Sequence, residues 1–81
     1  MGNKDIKMTS LNSIGFENEK NYPHDHFFTH RYIKGCLRVE LTWDMNQKGK
    51  RVSTEVQIED GDWRENISFS ELQILDIILN R

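Results

Sequence analysis

Three histidines, His24, His26 and His30, fall within seven residues, with Asp25 between the first two and Cys36 further along the chain. On an extended strand even-numbered residues share a face, so two or three imidazoles here could in principle meet a metal, with a carboxylate or thiolate completing the shell. Geometry opposes that reading. His26 and His30 stand about 13 Å apart along a strand, and His24 follows Pro23 in a stretch that reads as a loop. The expectation is therefore a core His30, two loop histidines, no metal and no cofactor. Cys36 needs an adjacent base to act as a nucleophile. The expected hairpin register sets it beside Ile33 on the outer face, with no histidine next to it. Glu59, Asp60 and Asp62 surround Gly61 but lack the ligand ladder of a calcium loop, and turn formation explains them. Glu40 and Asp44 share a face with Thr42 between them, yet acid–base work requires a shielded pocket, which a small sheet with one wet face does not promise. No catalytic residues are assigned, and an enzyme is not expected.

Binding remains, and two surfaces compete for it. The first is acidic: Glu59, Asp60, Asp62 and Glu65, with Glu71 and Asp76, could meet a basic groove on a protein partner, Trp63 serving as the aromatic anchor. Trp63 can equally be a lid on the core, the fate favoured for large aromatics in small domains. The second surface is basic: Lys48, Lys50 and Arg51 in a loop, with Arg31, Arg38 and Phe27 on the wet face, could follow a phosphate backbone and stack a base. Charge favours the first. Residues 1–25 carry three Lys against four acids, residues 26–59 six basic groups against four acids, and residues 60–81 two Arg against five acids. The net charge is −2. A nonspecific nucleic-acid binder normally shows a basic excess, since phosphate neutralisation supplies most of such affinity.

The elements that must position these groups follow from periodicity. Leu37, Val39, Leu41, Trp43 and Met45 alternate with Arg38, Glu40, Thr42 and Asp44, the mark of a half-buried antiparallel strand. A strand from about His26 to Ile33 precedes it through a tight turn at Lys34-Gly35. That turn pairs Tyr32 with Leu37, His30 with Val39 and Phe28 with Leu41, and sets Arg31 opposite Arg38. Val52, Thr54, Val56 and Ile58 alternate in a third strand after the loop Gln47-Lys48-Gly49-Lys50. Matching apolar faces then puts Val39 opposite Ile58, Leu41 opposite Val56, and Glu59 opposite Arg38. Trp63 to Ile67 forms a short fourth strand or an extended link.

Helices flank the sheet. Thr9 or Ser10 caps a short one carrying Leu11 and Ile14, ended by Gly15 in a left-handed turn with Phe16 folding back, and Met1–Met8 reads as a frayed polar lead. Glu17 to Asp25 is polar, holds the only proline, and reads as a connecting loop. Ser68-Phe69-Ser70-Glu71 is a capping box, with Ile67 and Leu72 at the positions of a hydrophobic staple. The helix it opens carries Leu72, Leu75 and Leu79, widened by Ile74, Ile77 and Ile78, a stripe too wide for one sheet face. Ile74 and Ile77 are expected to pack on the first helix or, failing that, to form a homodimer contact.

Length and chemistry bound the rest. At 81 residues the chain is one small domain, and its single cysteine excludes an internal disulfide. Apolar runs are too short to cross a bilayer and residues 1–8 lack an apolar signal core, so a cytoplasmic protein without membrane contact is expected. The layout Leu11-x-x-Ile14-Gly15-Phe16, three strands, and Ile67-Ser68-Phe69-Ser70-Glu71-Leu72 opening a terminal helix is similar to small uncharacterised proteins of bacteriophages and mobile elements. The resemblance spans most of the chain but transfers no catalytic residues. It implies a context in which short proteins bind and block a host or defence protein. The expected architecture is α+β: helix, three-stranded antiparallel meander with a short fourth strand, and a C-terminal helix on the apolar sheet face. The expected function is a non-enzymatic protein-binding module, with nucleic-acid binding the alternative.

Overall fold

In the computed structural model, which describes residues 6–81, helix α1 (Met8–Ser13) leads into five strands and a final helix. The strands are β1 (Glu17–His24), β2 (Phe27–Lys34), β3 (Leu37–Asp44), β4 (Lys50–Ile58) and β5 (Trp63–Arg64), and the helix is α2 (Phe69–Leu79). They form one antiparallel sheet in the order β1-β2-β3-β4-β5, a simple meander. The fold is thus α+β with five strands where three, with a short fourth, were expected. β1 is the strand the sequence hides. Seven of its eight residues are exposed, so neither face imposes a hydrophobic alternation. It lies at the sheet edge, where Pro23 is tolerated because an outward-facing position needs no ladder donor.

The central strand β3 divides the faces as its alternation requires. Leu37, Val39 and Leu41 are fully buried on one side, where they join Tyr32 and Val56 and are covered by Ile6, Leu11, Phe16, Ile67 and Leu72. Burial of Ile6 and the helical start at Met8 place residues 6–8 inside the fold rather than in a frayed lead; Met1–Asp5 lie outside the described residues. α1 begins with Lys7 at its N-cap and no side-chain cap, so Thr9 and Ser10 are helical rather than capping. Gly15 takes the left-handed conformation (φ +96°), and the Phe16 amide returns to the Leu11 carbonyl at 3.0 Å. At the other end, the Ser68–Glu71 capping box is formed reciprocally, and Ile67 and Leu72 are both buried as a staple demands.

The strand register differs from the expected one by two residues on both sides of β3. Tyr32 faces Val39, His30 faces Leu41, Val39 faces Val56 and Leu37 faces Ile58. The turn decides it. Gly35 (φ +56°) holds the first central position of a two-residue Gly35-Cys36 loop, rather than the second position of Lys34-Gly35. A bulge near Trp43 inserts Val52, which leaves the core face, and Met45 starts a 3-10 turn; both are exposed instead of packed.

What fastens helix to hairpin is polar. Lys34 Nζ donates to Asp76 Oδ2 at 2.7 Å and to the Ile14 carbonyl at 2.6 Å. Asn80 Nδ2 donates to the Lys34 carbonyl (2.8 Å) and to Asp76 Oδ1 (3.1 Å), while its Oδ1 accepts from the Cys36 amide (3.1 Å) and Sγ (3.4 Å). The same carboxamide sits where a side chain at Gly35 would go: a Cβ there would clash with Asn80 Oδ1. Asn80→Ala should therefore cost about 1–3 kcal/mol, the range for leaving partly buried donors and acceptors unpaired. Gly35→Ala should destabilise through both φ and the clash. Urea unfolding of the two single variants and the double variant checks this: the double should be less destabilised than the sum, because removing Asn80 clears the space.

Candidate functional site

The face of the sheet opposite the helices is lined by polar groups that are unexpectedly buried. Thr29, Glu40, Thr42 and Asp44 are all at least nine-tenths covered, although β3 was expected to present this side to water. Neighbouring strands supply the cover. Glu40 Oε2 accepts from Arg31 Nε (2.7 Å) and from the Tyr22 hydroxyl (3.0 Å). Thr29 and Thr42 hydroxyls are hydrogen-bonded at 2.8 Å, and Thr29 is bonded in turn to His24 Nε2 at 2.8 Å. Asp44 caps the following turn, accepting from the Asn46 amide and the Gln47 carboxamide. The pair Arg31–Glu40 replaces the repulsive Arg31–Arg38 pair of the expected register.

Above this floor lies an open-sided concavity of about 290 Å³, walled by Tyr22, His24, Phe27 and Val52 and floored by Thr29, Glu40, Thr42, Ser53 and Glu55. The expectation that this face offers no pocket is therefore corrected. Hairpin β1–β2 builds the aromatic wall, since its turn at Asp25 (φ +62°) brings His24 beside Phe27 with ring centroids 5.7 Å apart, and Tyr22 follows at 5.4 Å. Glu55 stands directly opposite Glu40 across β3 and β4. Burial, then Glu65, then Glu40 hold its carboxyl above the usual carboxylate range. Burial followed by the Glu40 contact raises the Tyr22 phenol, and the hydrogen bond to Glu40 raises Arg31.

The sequence-predicted residues distribute unevenly. Glu59, Asp60, Asp62 and Glu65 are exposed along the β4–β5 turn and the β5 edge, contiguous with Trp63. Trp63 is no lid on the core. It is half-buried, opposite Gln57, with the Arg31 guanidinium 5.8 Å from its ring. The acidic set and the concavity therefore adjoin through Trp63 and Arg31. The basic set is dispersed. Arg31 is paired with Glu40 and Arg38 Nη1 reaches the Glu59 carbonyl at 3.4 Å, whereas Lys48 and Lys50 lie at the opposite end of β3. Arg51 turns to the helix-bearing face, stacking 5.3 Å from Trp43 and bonding Thr54 at 2.8 Å, where burial lowers its pKa.

The histidines separate as well. His24 belongs to the polar face and His26 to the β1–β2 turn near Asp25 and Asp44. His30 packs edge-on to Trp43 and Phe28, where burial lowers its pKa. Among the described residues no group of three or more His, Cys, Asp or Glu is placed to hold a metal ion. Cys36 is in the turn held by Asn80. Ile74 and Ile77 are mostly exposed, at 55% and 67% of their surface, rather than buried against the first helix. No helix among the described residues is long and apolar enough to cross a membrane. Sequence reasoning missed Tyr22, His24 and Glu55 as one site because β1 was read as loop, its exposed residues carrying no alternation.

Fold and site together define a small α+β domain: a five-stranded antiparallel meander with helices on one face and an aromatic-walled, carboxylate-bearing concavity on the other. Comparison with family models, with curated proteins and with solved structures gives no match.

Two outcomes follow from this geometry. Glu55→Gln should stabilise the domain at neutral pH by about 0.5 kcal/mol, the scale of a like-charge cross-strand pair. A raised folded-state pKa favours folding at low pH and loses that advantage as pH rises. The gain from Glu55→Gln should accordingly be absent near pH 4 and emerge as pH rises beyond the carboxylate range, which melting temperatures from pH 4 to 8 will show. On α2, Ile77→Lys should change stability by no more than about 0.5 kcal/mol, while Leu72→Ala on the buried side should cost about 2–4 kcal/mol; chemical denaturation of both variants separates the two faces.

Proposed function

We propose that this chain is a non-enzymatic protein-binding module whose polar sheet face and acidic β4–β5 edge receive a basic segment of a partner protein. The single observation that carries the reading is the position of Trp63 between the acidic residues Glu59, Asp60, Asp62 and Glu65 and the Arg31 guanidinium, which is paired in turn with Glu40 on the floor of the concavity. Interfaces draw their energy from a few half-buried aromatic and charged anchors within a polar rim, and Trp63 with Arg31 fits that description. Acidic residues at the edge would steer a basic partner and make association sensitive to salt. In this reading the chain acts as an accessory or inhibitor protein, of the kind carried by phages and mobile elements, that blocks a host or defence protein.

Affinity capture with the intact chain tests the reading against a Trp63→Ala/Glu65→Gln variant whose fold is verified by its circular dichroism and melting temperature. The wild type should retain a basic protein that elutes as salt rises, and the folded variant should retain at least tenfold less. Undiminished capture by that variant, or retention of nucleic acid in place of protein, would overturn it.

A further inference from the structure

Glu40 and Glu55 occupy facing positions on adjacent strands, yet their surroundings differ. Glu40 is neutralised by the Arg31 guanidinium and bonded by the Tyr22 hydroxyl. The charged groups that act on the Glu55 carboxylate are Glu65 and Glu40, both acids. A carboxylate partly withdrawn from water beside two others is unfavourable unless a positive group compensates it. Neither nearby arginine neutralises it: Arg31 is engaged by Glu40 and Arg51 lies on the other face.

We infer that the concavity walled by Tyr22, His24, Phe27 and Val52 binds the cationic end of a lysine or arginine side chain of the partner, with Glu55 as its counter-charge. The inference rests on the protein-binding reading above and names the chemistry that this face recognises. Aromatic faces attract organic cations through their quadrupole. The molecule already uses that contact twice at the margins of this face: Lys20 Nζ lies 5.1 Å from the Tyr22 ring centroid, and Arg31 lies over Trp63. A volume of about 290 Å³, just under the range of small-molecule sites, admits the end of a lysine or arginine side chain. A metal ion suits it less, because the Thr29 and Thr42 hydroxyls are committed to each other and Glu40 to Arg31, leaving too few oxygen donors for a hard cation.

The probes are N-acetyl-arginine methylamide and N-acetyl-lysine methylamide, with the neutral isostere N-acetyl-norleucine methylamide as control, titrated at low salt into the intact, isotopically labelled chain. Expected are saturable amide shifts centred on Thr29, Thr42, Ser53 and Glu55 for a cationic probe, at least fivefold weaker binding in Glu55→Gln, and no saturable shifts with norleucine. Absence of saturable shifts with both cations, or equal response to the neutral isostere, overturns the site. Glu55→Gln leaves the aromatic wall intact and is expected to fold, which its amide spectrum reports directly. Partner capture that depends on Trp63 and Glu65 but is indifferent to Glu55→Gln would remove the cation site and leave the binding module standing. Cation binding that needs Glu55, together with undiminished partner capture by Trp63→Ala/Glu65→Gln, would do the reverse.

Discussion

The contact on which the rest of the structure depends is the polar clasp between the end of α2 and the β2–β3 turn. Lys34, Asp76 and Asn80 join three segments that are far apart in sequence, and every polar atom of the Asn80 carboxamide is engaged. Its importance is geometric more than energetic. The partly exposed Lys34–Asp76 pair contributes modestly by itself, since solvent screens it. But the clasp fixes where the helix stops, and so which helix residues lie over Leu37 and Val39. It also explains an oddity of the helical stripe. Asp76 interrupts the apolar pattern on the buried side, while Ile74, Ile77 and Ile78 occupy the outside, so the amphipathicity of α2 is partly inverted. A helix held by a polar clasp at one end and a capping box and staple at the other needs less of its apolar stripe for docking, which leaves that stripe exposed.

The same turn sets the register, and this shows what hydrophobic patterning can and cannot specify. Because side chains alternate with period two, a slip of two residues preserves every face. The division into apolar and polar sides of β2, β3 and β4 was therefore legible from alternation alone, and Leu37, Val39, Leu41 and Val56 are buried as that alternation requires. Agreement between apolar matching and an Arg38–Glu59 pairing could not discriminate between registers two apart. What discriminates is the backbone of the turn, through Gly35 with positive φ in first position, together with the pairing of Arg31 with Glu40. Arg38 still approaches residue 59, but its partner is the backbone carbonyl rather than the carboxylate.

The candidate site was less legible than the core, for a related reason. Its aromatic wall stands on β1, an edge strand so exposed that it carries no burial pattern, and its floor consists of residues whose polarity suggested a wet surface. Polar type predicts exposure only when neighbouring strands leave the residue uncovered. Thr29, Glu40 and Thr42 are covered because Arg31, Tyr22 and His24 lean over them, a relation that exists only in the observed register. The acidic edge, by contrast, is local in sequence, and Glu59 to Glu65 come together simply because a turn and a short strand contain them.

A single asymmetry connects fold to function. Register places a carboxylate at each facing position of β3 and β4, at Glu40 and Glu55, where a stability-seeking sequence would favour opposite charges or an apolar pair. One of these carboxylates is compensated within the sheet and the other is not. Proteins retain such local conflicts where binding needs them, since a site that is electrostatically complete in isolation has nothing to gain from a ligand. The neighbouring core shows no comparable conflict: among the described residues no buried side-chain nitrogen or oxygen lacks a partner. The like-charge pair lies on the floor of the concavity, beside the aromatic rings that favour a cation. Among the described residues the sheet thus joins a core whose buried side-chain polar atoms are all paired to a facing pair of carboxylates of which Glu40 alone is held by an arginine.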